Sequence, residues 1–130
     1  MLPSIQAKIQ QSEARIQQSE ARIQQSIIVW YRNSFCLSHH SPRRMIFSIP
    51  NEGKPDLVRT GLLPGASDLI LIHYPYPIAF LEVKTPTGKQ STAQIEFQEH
   101  ITSLGYKYHL IRSLIEFKEL LDREYPLPPT

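Results

Sequence analysis

The 130 residues are enough for one domain. A hydrophobic fraction of 41% with 20% charged residues suits a chain that buries a core and excludes one that is disordered throughout. A single cysteine excludes an intramolecular disulfide framework and fits a reducing compartment. No apolar run approaches the roughly 18 residues that span a bilayer, and the first residues lack a basic-then-apolar signal pattern. A net charge of +2 and a pI near 8.8 permit a nucleic-acid partner without requiring one. The expectation is a soluble intracellular protein with no membrane partner.

The chain opens on a repeat. Residues 12–18 and 19–25 both read SEARIQQ, and residues 6–11 are a looser version. Ile9, Ile16 and Ile23 recur at a helical seven-residue spacing. Three residues after each stands Ser12, Ser19 or Ser26, where a coiled-coil seam needs an apolar side chain. The pattern predicts one long helix over residues 4–31 and no autonomous coiled coil. A bare sequence duplication explains the repeat equally well. Residues 27–31 (IIVWY) are where this helix should dock on the core.

Residues 32–44 read as a loop broken by Pro42. Residues 45–49 read as a short strand, and residues 54–60 as one or two helical turns with Pro55 at the first-turn position. Leu63-Pro64-Gly65-Ala66 fits a type II turn. Residues 69–73 (LILIH) and 78–83 (IAFLEV) are strands joined through Tyr74-Pro75-Tyr76-Pro77, whose prolines cannot donate to a ladder. Both strands are apolar on both faces, as expected of central strands covered on both sides. Ser91 and Gln94 have capping-box spacing before a helix with a stripe of Ala93, Phe97, Ile101 and Leu104, and Gly105 is its C-terminal cap. Residues 106–111 form a further strand. Ser113 and Glu116 open a last helix with Phe117, Leu120 and Leu121 on its inner face. This order predicts an α/β or α+β domain with a central mixed β-sheet flanked by helices. The expected division is a repetitive helical extension over residues 1–25, a folded domain over 26–125 and a Pro-rich tail over 126–130.

Asp68 stands just before one apolar strand, and Glu82 and Lys84 near the end of the next. Residues two apart on a strand share a face, and charges are rarely placed in central strands unless paired or bound to metal. A plain Glu82–Lys84 ion pair at a strand end accounts for those two alone. Whether Asp68 joins them depends on loop parity. An even loop over 74–77 pairs Asp68 with Val83 and sends its side chain away. An odd loop, for instance 74–78, pairs Asp68 with Lys84 and puts all three on one side. Two carboxylates meeting there make an oxygen-rich site for Mg²⁺, and a lysine beside it can stabilise charge developing on a phosphate. Two other patterns fall short. Cys36, His39 and His40 lack a fourth partner at finger-like spacing. Gly88-Lys89 is followed by Gln90 where a phosphate loop needs Ser or Thr.

The set Pro64-Gly65-Ala66-Ser67-Asp68 followed by Glu82-Val83-Lys84 resembles the PD-(D/E)XK nuclease superfamily. More closely, the chain resembles the virus-type replication-repair nuclease (VRR-NUC) domain. The matching stretches are residues 49–53 (IPNEG), 61–71 (GLLPGASDLIL), 80–84 (FLEVK), 88–94 (GKQSTAQ) and 104–106 (LGY). The likeness runs from near Glu20 to Leu121. It implies a PD-(D/E)XK nuclease-like core with a long N-terminal helix, and DNA endonuclease activity with Mg²⁺ or Mn²⁺, water attack and 5′-phosphate products. It further implies a homodimer acting on branched DNA such as four-way junctions, in the cytoplasm of a bacterial or phage-infected cell.

On matching positions, the resemblance makes Asp68 and Glu82 metal ligands, joined by the backbone carbonyl of Val83, and Lys84 the catalytic lysine. Gln94 would lie near the scissile phosphate, although helix capping alone accounts for a glutamine there. Gln90 belongs to the same neighbourhood. The family's glutamate on the first helix is Glu13 or Glu20. Glu20 is preferred, because it lies on the isoleucine face and nearer the docking cluster. The segment between Gly53 and Gly61 is shorter than is common in the family. Arg43, Arg44, Lys54, Arg59 and Lys89 lie in loops or turns from which they could reach phosphates around the site. The alternative function is a non-catalytic DNA-binding module, or a phage structural protein with a relic site.

Overall fold

The computed structural model describes residues 4–37, 40–50 and 61–128. Helix α1 (Ile5–Phe35) is a single helix of 31 residues. Ser4 caps it by accepting the Ala7 N–H, a contribution of about 1 kcal/mol. The helix runs unbroken through residue 25 and past residue 31, so the loop expected over 32–44 begins later. Phe35 extends the docking face: its ring lies 5.0 Å from Tyr31, 5.8 Å from Trp30 and 5.0 Å from His73. The rest of that loop holds a small hairpin, β1 (His40–Ser41) and β2 (Arg44–Ser48). β2 starts one residue earlier than expected.

Next come β3 (Leu69–His73), β4 (Ala79–Val83), α2 (Thr92–Ser103), β5 (Lys107–Ile111) and α3 (Leu114–Glu124). The helical turns expected over residues 54–60 fall outside the described residues. Ser91 and Gln94 form a complete capping box on α2. Gly105 at φ 88° closes it, with Gly105 N–H to Thr102 O and Tyr106 N–H to Ile101 O, the two bonds of a Schellman motif. Ser113 caps α3 by accepting the Glu116 N–H.

Among the described residues, five strands form one sheet in the order β1-β2-β3-β4-β5. The first four are antiparallel to their neighbours and β5 is parallel to β4. Its two faces have different covers. Leu69, Leu71, Ala79, Leu81, Val83, Ile46 and Ile111 pack with Ile27 and Tyr31 of α1 and Phe117, Leu120 and Leu121 of α3 in one buried cluster. Each fully buried large side chain there contributes about 1.5–3 kcal/mol. On the other face, Phe97 of α2 lies 5.8 Å from Phe80 and 6.1 Å from Tyr108. Among the described residues no helix is long and apolar enough to cross a membrane.

His73 closes the core at the far end of β3. It is 1% exposed, and its Nδ1 lies 2.8 Å from the Tyr31 hydroxyl. Burial first, and then the charge of Arg44, push its pKa down to about 4 from 6.5. The unfolded chain therefore binds a proton between those values that the folded chain refuses. Stability from this group is fully present above pH 6.5 and lost as pH falls through that window, on the order of 3 kcal/mol in all. Denaturation at about pH 7 and about pH 4.5 should show a larger acid loss for the wild type than for His73→Leu. Parallel losses would contradict this role.

Candidate active site at the end of the central hairpin

The turn before β3 sets the position of Asp68. Ala66 N–H donates to Leu63 O at 3.1 Å, and Gly65 has φ 86°, as the third position of a type II turn requires. A Cβ on Gly65 would lie 2.5 Å from the backbone C and O of Ala93. The turn thus packs directly on the first turn of α2, which only glycine permits, and this draws Asp68 and Gln94 to the same end of the sheet.

The hairpin register pairs Leu69 with Leu81, Ile70 with Phe80 and Leu71 with Ala79. Continuing it, Asp68 stands opposite Glu82, and not opposite Lys84 as the odd-loop example would have it. Directly opposed residues share a face, and Lys84 follows two residues later on that face. The Asp68 carboxylate Oδ2 accepts the Val83 N–H at 2.7 Å, and the Asp68 carbonyl accepts the Ile49 N–H at 2.8 Å.

Glu82 is 1% exposed. Its Oε1 accepts a hydrogen bond from Gln94 Nε2 at 2.8 Å, while Gln94 Oε1 accepts the Ser91 N–H at 2.8 Å. Gln94 therefore serves the cap and the carboxyl with opposite ends of one amide. Burial first, and then the charge of Asp68, push the Glu82 pKa up to about 9; Lys84 opposes the shift. Glu82 Oε2 is buried with no hydrogen-bond partner at ordinary distance among the described residues. Lys84 is also buried, with Nζ 3.7 Å from Glu20 Oε1. Of the two repeat glutamates, Glu20 is half-buried and reaches the site, whereas Glu13 is exposed one repeat earlier.

The cationic candidates divide. Lys89 is exposed on the loop between β4 and α2, near the site in the chain. Arg43 and Arg44 lie elsewhere, which corrects the expectation that they surround the site. Arg44 pairs with His73 and Arg43 stacks on Tyr74 at 5.2 Å, roughly 17 Å along the strand from Asp68. The antiparallel pairing of β2 with β3 carries them to the opposite end. Lys54 and Arg59 fall outside the described residues.

Two residues that the sequence did not single out join the site. Tyr108 of β5 accepts a hydrogen bond from Gln90 Nε2 at 3.2 Å. Its phenol is held well above the usual range by burial and then by the Glu82 charge. Arg112 braces the loop after Lys84, with Nη1 donating to the carbonyls of Thr85 and Gly88 at 2.7 Å each. Alternation along β5 gives the face of Tyr108 once β5 is paired, but nothing local in the sequence fixes that parallel register.

Among the described residues, no group of three or more His, Cys, Asp and Glu is arranged to hold a metal ion. The donor set is smaller: two facing carboxyls, one of them with an unpartnered buried oxygen. Mg²⁺ keeps several waters and is often bound through one or two carboxylates, so these residues fit such an ion.

No family model and no curated protein matches the chain. Similar solved structures include the following two. One, described as a VRR_NUC domain, has a TM-score of 0.60 at 20% identity, covering 82% of this chain and 98% of that one. Another, a VRR_NUC domain protein, has a TM-score of 0.63 at 19% identity, covering 80% and 85%. The chain has the VRR-NUC fold, an α+β arrangement of a mixed sheet flanked by helices with a long N-terminal helix.

Glu82→Gln tests the electrostatics. The folded chain keeps the Glu82 proton to about pH 9 and the unfolded chain releases it near 4.5. The stability this group contributes is thus present below 4.5 and lost as pH rises toward 9. In the presence of a chelator, the wild type should lose stability relative to Glu82→Gln between about pH 5 and pH 8.5. A constant difference across that range would contradict the buried-acid assignment.

Proposed function

We propose that this chain is a Mg²⁺- or Mn²⁺-dependent endonuclease that hydrolyses DNA phosphodiesters. The observation that carries this is the buried Glu82, with one oxygen unpartnered, facing Asp68 and followed on the same face by buried Lys84. The VRR-NUC fold around it supports the same function. Asp68, Glu82 and the Val83 carbonyl would hold the ion. When bound, it supplies Lewis-acid polarisation of a phosphoryl oxygen and a more acidic water.

The chain's own residues do the rest. Gln94 Nε2 fixes Glu82 Oε1, so the carboxyl cannot turn away. Glu20 holds Lys84 Nζ at the mouth of the pair. From there, Nζ can donate to a phosphate oxygen where negative charge builds up in the transition state. The exposed Lys89 offers a cation to the flanking backbone.

Branched DNA cut by a homodimer is the finer proposal. Ile5, Ile9 and Ile16 are 79%, 52% and 47% exposed, on the helical line that continues into Ile23 and Ile27 at the core. Such a strip is covered most simply by a second copy about a two-fold axis, which would set two sites on one assembly. On this view the exposed first turns of α1 are an extension for pairing, while Glu20 belongs with residues 26–125 to the nuclease, so the division expected at residue 25 falls too late.

Incubation with linear, flapped and four-way-junction DNA should give cleavage with Mg²⁺ or Mn²⁺ and none with chelator. Asp68→Ala, Glu82→Ala and Lys84→Ala should each lower the rate by about 10²–10³ or more, with folding judged by circular dichroism. Wild-type rates in any of them would overturn the assignment, and DNA binding without cleavage under every condition would favour a binding module. Light scattering should report a dimer for the full chain and a monomer for a chain starting at Ser19. A full-length monomer at micromolar concentration would end the pairing proposal.

A further inference from the structure

Lys84 stands one residue beyond the end of β4. The last ladder pair between β4 and β5 is Val83 with Ile111. The Lys84 N–H still donates to Ile111 O at 3.0 Å, and there the hold of the sheet ends. The side chain of the next residue, Arg112, takes over. Its Nη1 donates to Thr85 O and Gly88 O at 2.7 Å each and lies 3.4 Å from Pro86 O. The two hydrogens of one nitrogen are thus used on the two ends of a single turn, which Gly88 N–H closes on Thr85 O at 3.1 Å. That turn follows Lys84 directly and folds back beside it. A Cβ on Gly88 would lie 3.6 Å from Lys84 Cδ and 2.8 Å from Thr85 Oγ1. The space over Gly88 is therefore already taken by the Thr85 hydroxyl and the aliphatic stem of Lys84.

We infer that Arg112 is a positioning residue for Lys84: by fixing the turn over residues 85–88, it holds the main chain just after Lys84 and the wall along which the lysine stem runs. The inference rests on the proposed nuclease reading and deepens it. The physical need lies in the side chain itself. Lysine is a point charge on a flexible four-carbon stem, and a confined stem returns Nζ to the same place. Glu20 Oε1, 3.7 Å from Nζ, restrains only the head. The metal-ligating pair does not depend on this turn, because Asp68 is held by the Val83 N–H and Glu82 by Gln94. Loss of the Arg112 tether should therefore misplace Nζ and leave the ion alone. A misplacement of about 1 Å caused by a change away from the chemistry can cost about 10²-fold in rate.

The test is cleavage by the full chain with Mn²⁺, on the DNA that the wild type cuts fastest. Arg112→Met keeps the aliphatic stem and removes the donors. It should lower kcat about 10–100-fold, with KM for DNA, and Mn²⁺ affinity read by calorimetry, unchanged. Arg112→Lys keeps one donating nitrogen, a bond shorter, and should recover part of the loss. In a Lys84→Ala background, Arg112→Met should cost nothing further, because Arg112 acts through Lys84. A merely structural role would lower kcat by the same factor in both backgrounds, and that result would overturn the inference. A rise in KM with kcat unchanged would put Arg112 on the DNA itself and overturn it too. Wild-type kcat in Arg112→Met, with Lys84→Ala impaired, would overturn this inference and leave the nuclease reading standing. Absence of cleavage by the wild type would overturn both. If Arg112→Met fails to fold, Gly88→Ala decides, since its methyl must push Thr85 Oγ1 aside next to the Lys84 stem. It should lower kcat, and a wild-type kcat there would overturn the inference.

Discussion

The arrangement depends on one buried acid. Glu82 sits near the end of the interior strand β4, 1% exposed, opposite a second carboxyl. Isolated carboxylates are excluded from such places by several kcal/mol of desolvation, and two of them repel. The protein tolerates the pair by keeping a proton on Glu82 up to about pH 9 and by hydrogen-bonding one of its oxygens. Strongly perturbed buried acids of this kind cluster at functional sites, and the proposed divalent cation gives the charge of this pair a use.

Each neighbouring element restrains that pair from a different direction. The Gly65 turn clamps the start of β3 against α2, which no side chain larger than hydrogen permits. The cap of α2 uses one end of Gln94 and the site uses the other. The long helix reaches across the sheet end to place Glu20 beside Lys84. Arg112 ties the loop between Lys84 and α2 through its carbonyls. Meanwhile the opposite sheet face, packed on α1 and α3, supplies the core that holds these pieces in register. Stability and chemistry are thus divided between the two faces of one sheet.

Much of this was legible in the residue order, for physical reasons. Apolar runs and breakers marked β3, β4 and β5 to within a residue, and the Ser91, Gln94 and Gly105 signals marked α2. The chemistry of Asp68, Glu82 and Lys84 stood out because charges are rare in central strands. What was not legible depended on long-range geometry. The register that sets Asp68 opposite Glu82 is fixed by a hairpin loop whose parity composition does not reveal. Loops have no address in sequence, so the positions of Arg43 and Arg44 cannot be read from it; antiparallel pairing with β3 sends them to the far end. The place of Tyr108 is not marked in the sequence, because a parallel strand finds its partner only after a helical crossover. Glu13 and Glu20 hold the same place in an identical repeat, and only the second lies where the helix face meets Lys84.

The most direct measurement is a crystal structure of the chain grown or soaked with Mn²⁺, with data collected to locate the ion by its anomalous scattering. The account predicts a Mn²⁺ peak at the Asp68 and Glu82 carboxyls on the sheet face that carries Lys84. Absence of a peak there, with Mn²⁺ bound elsewhere or nowhere at saturating concentration, would contradict it.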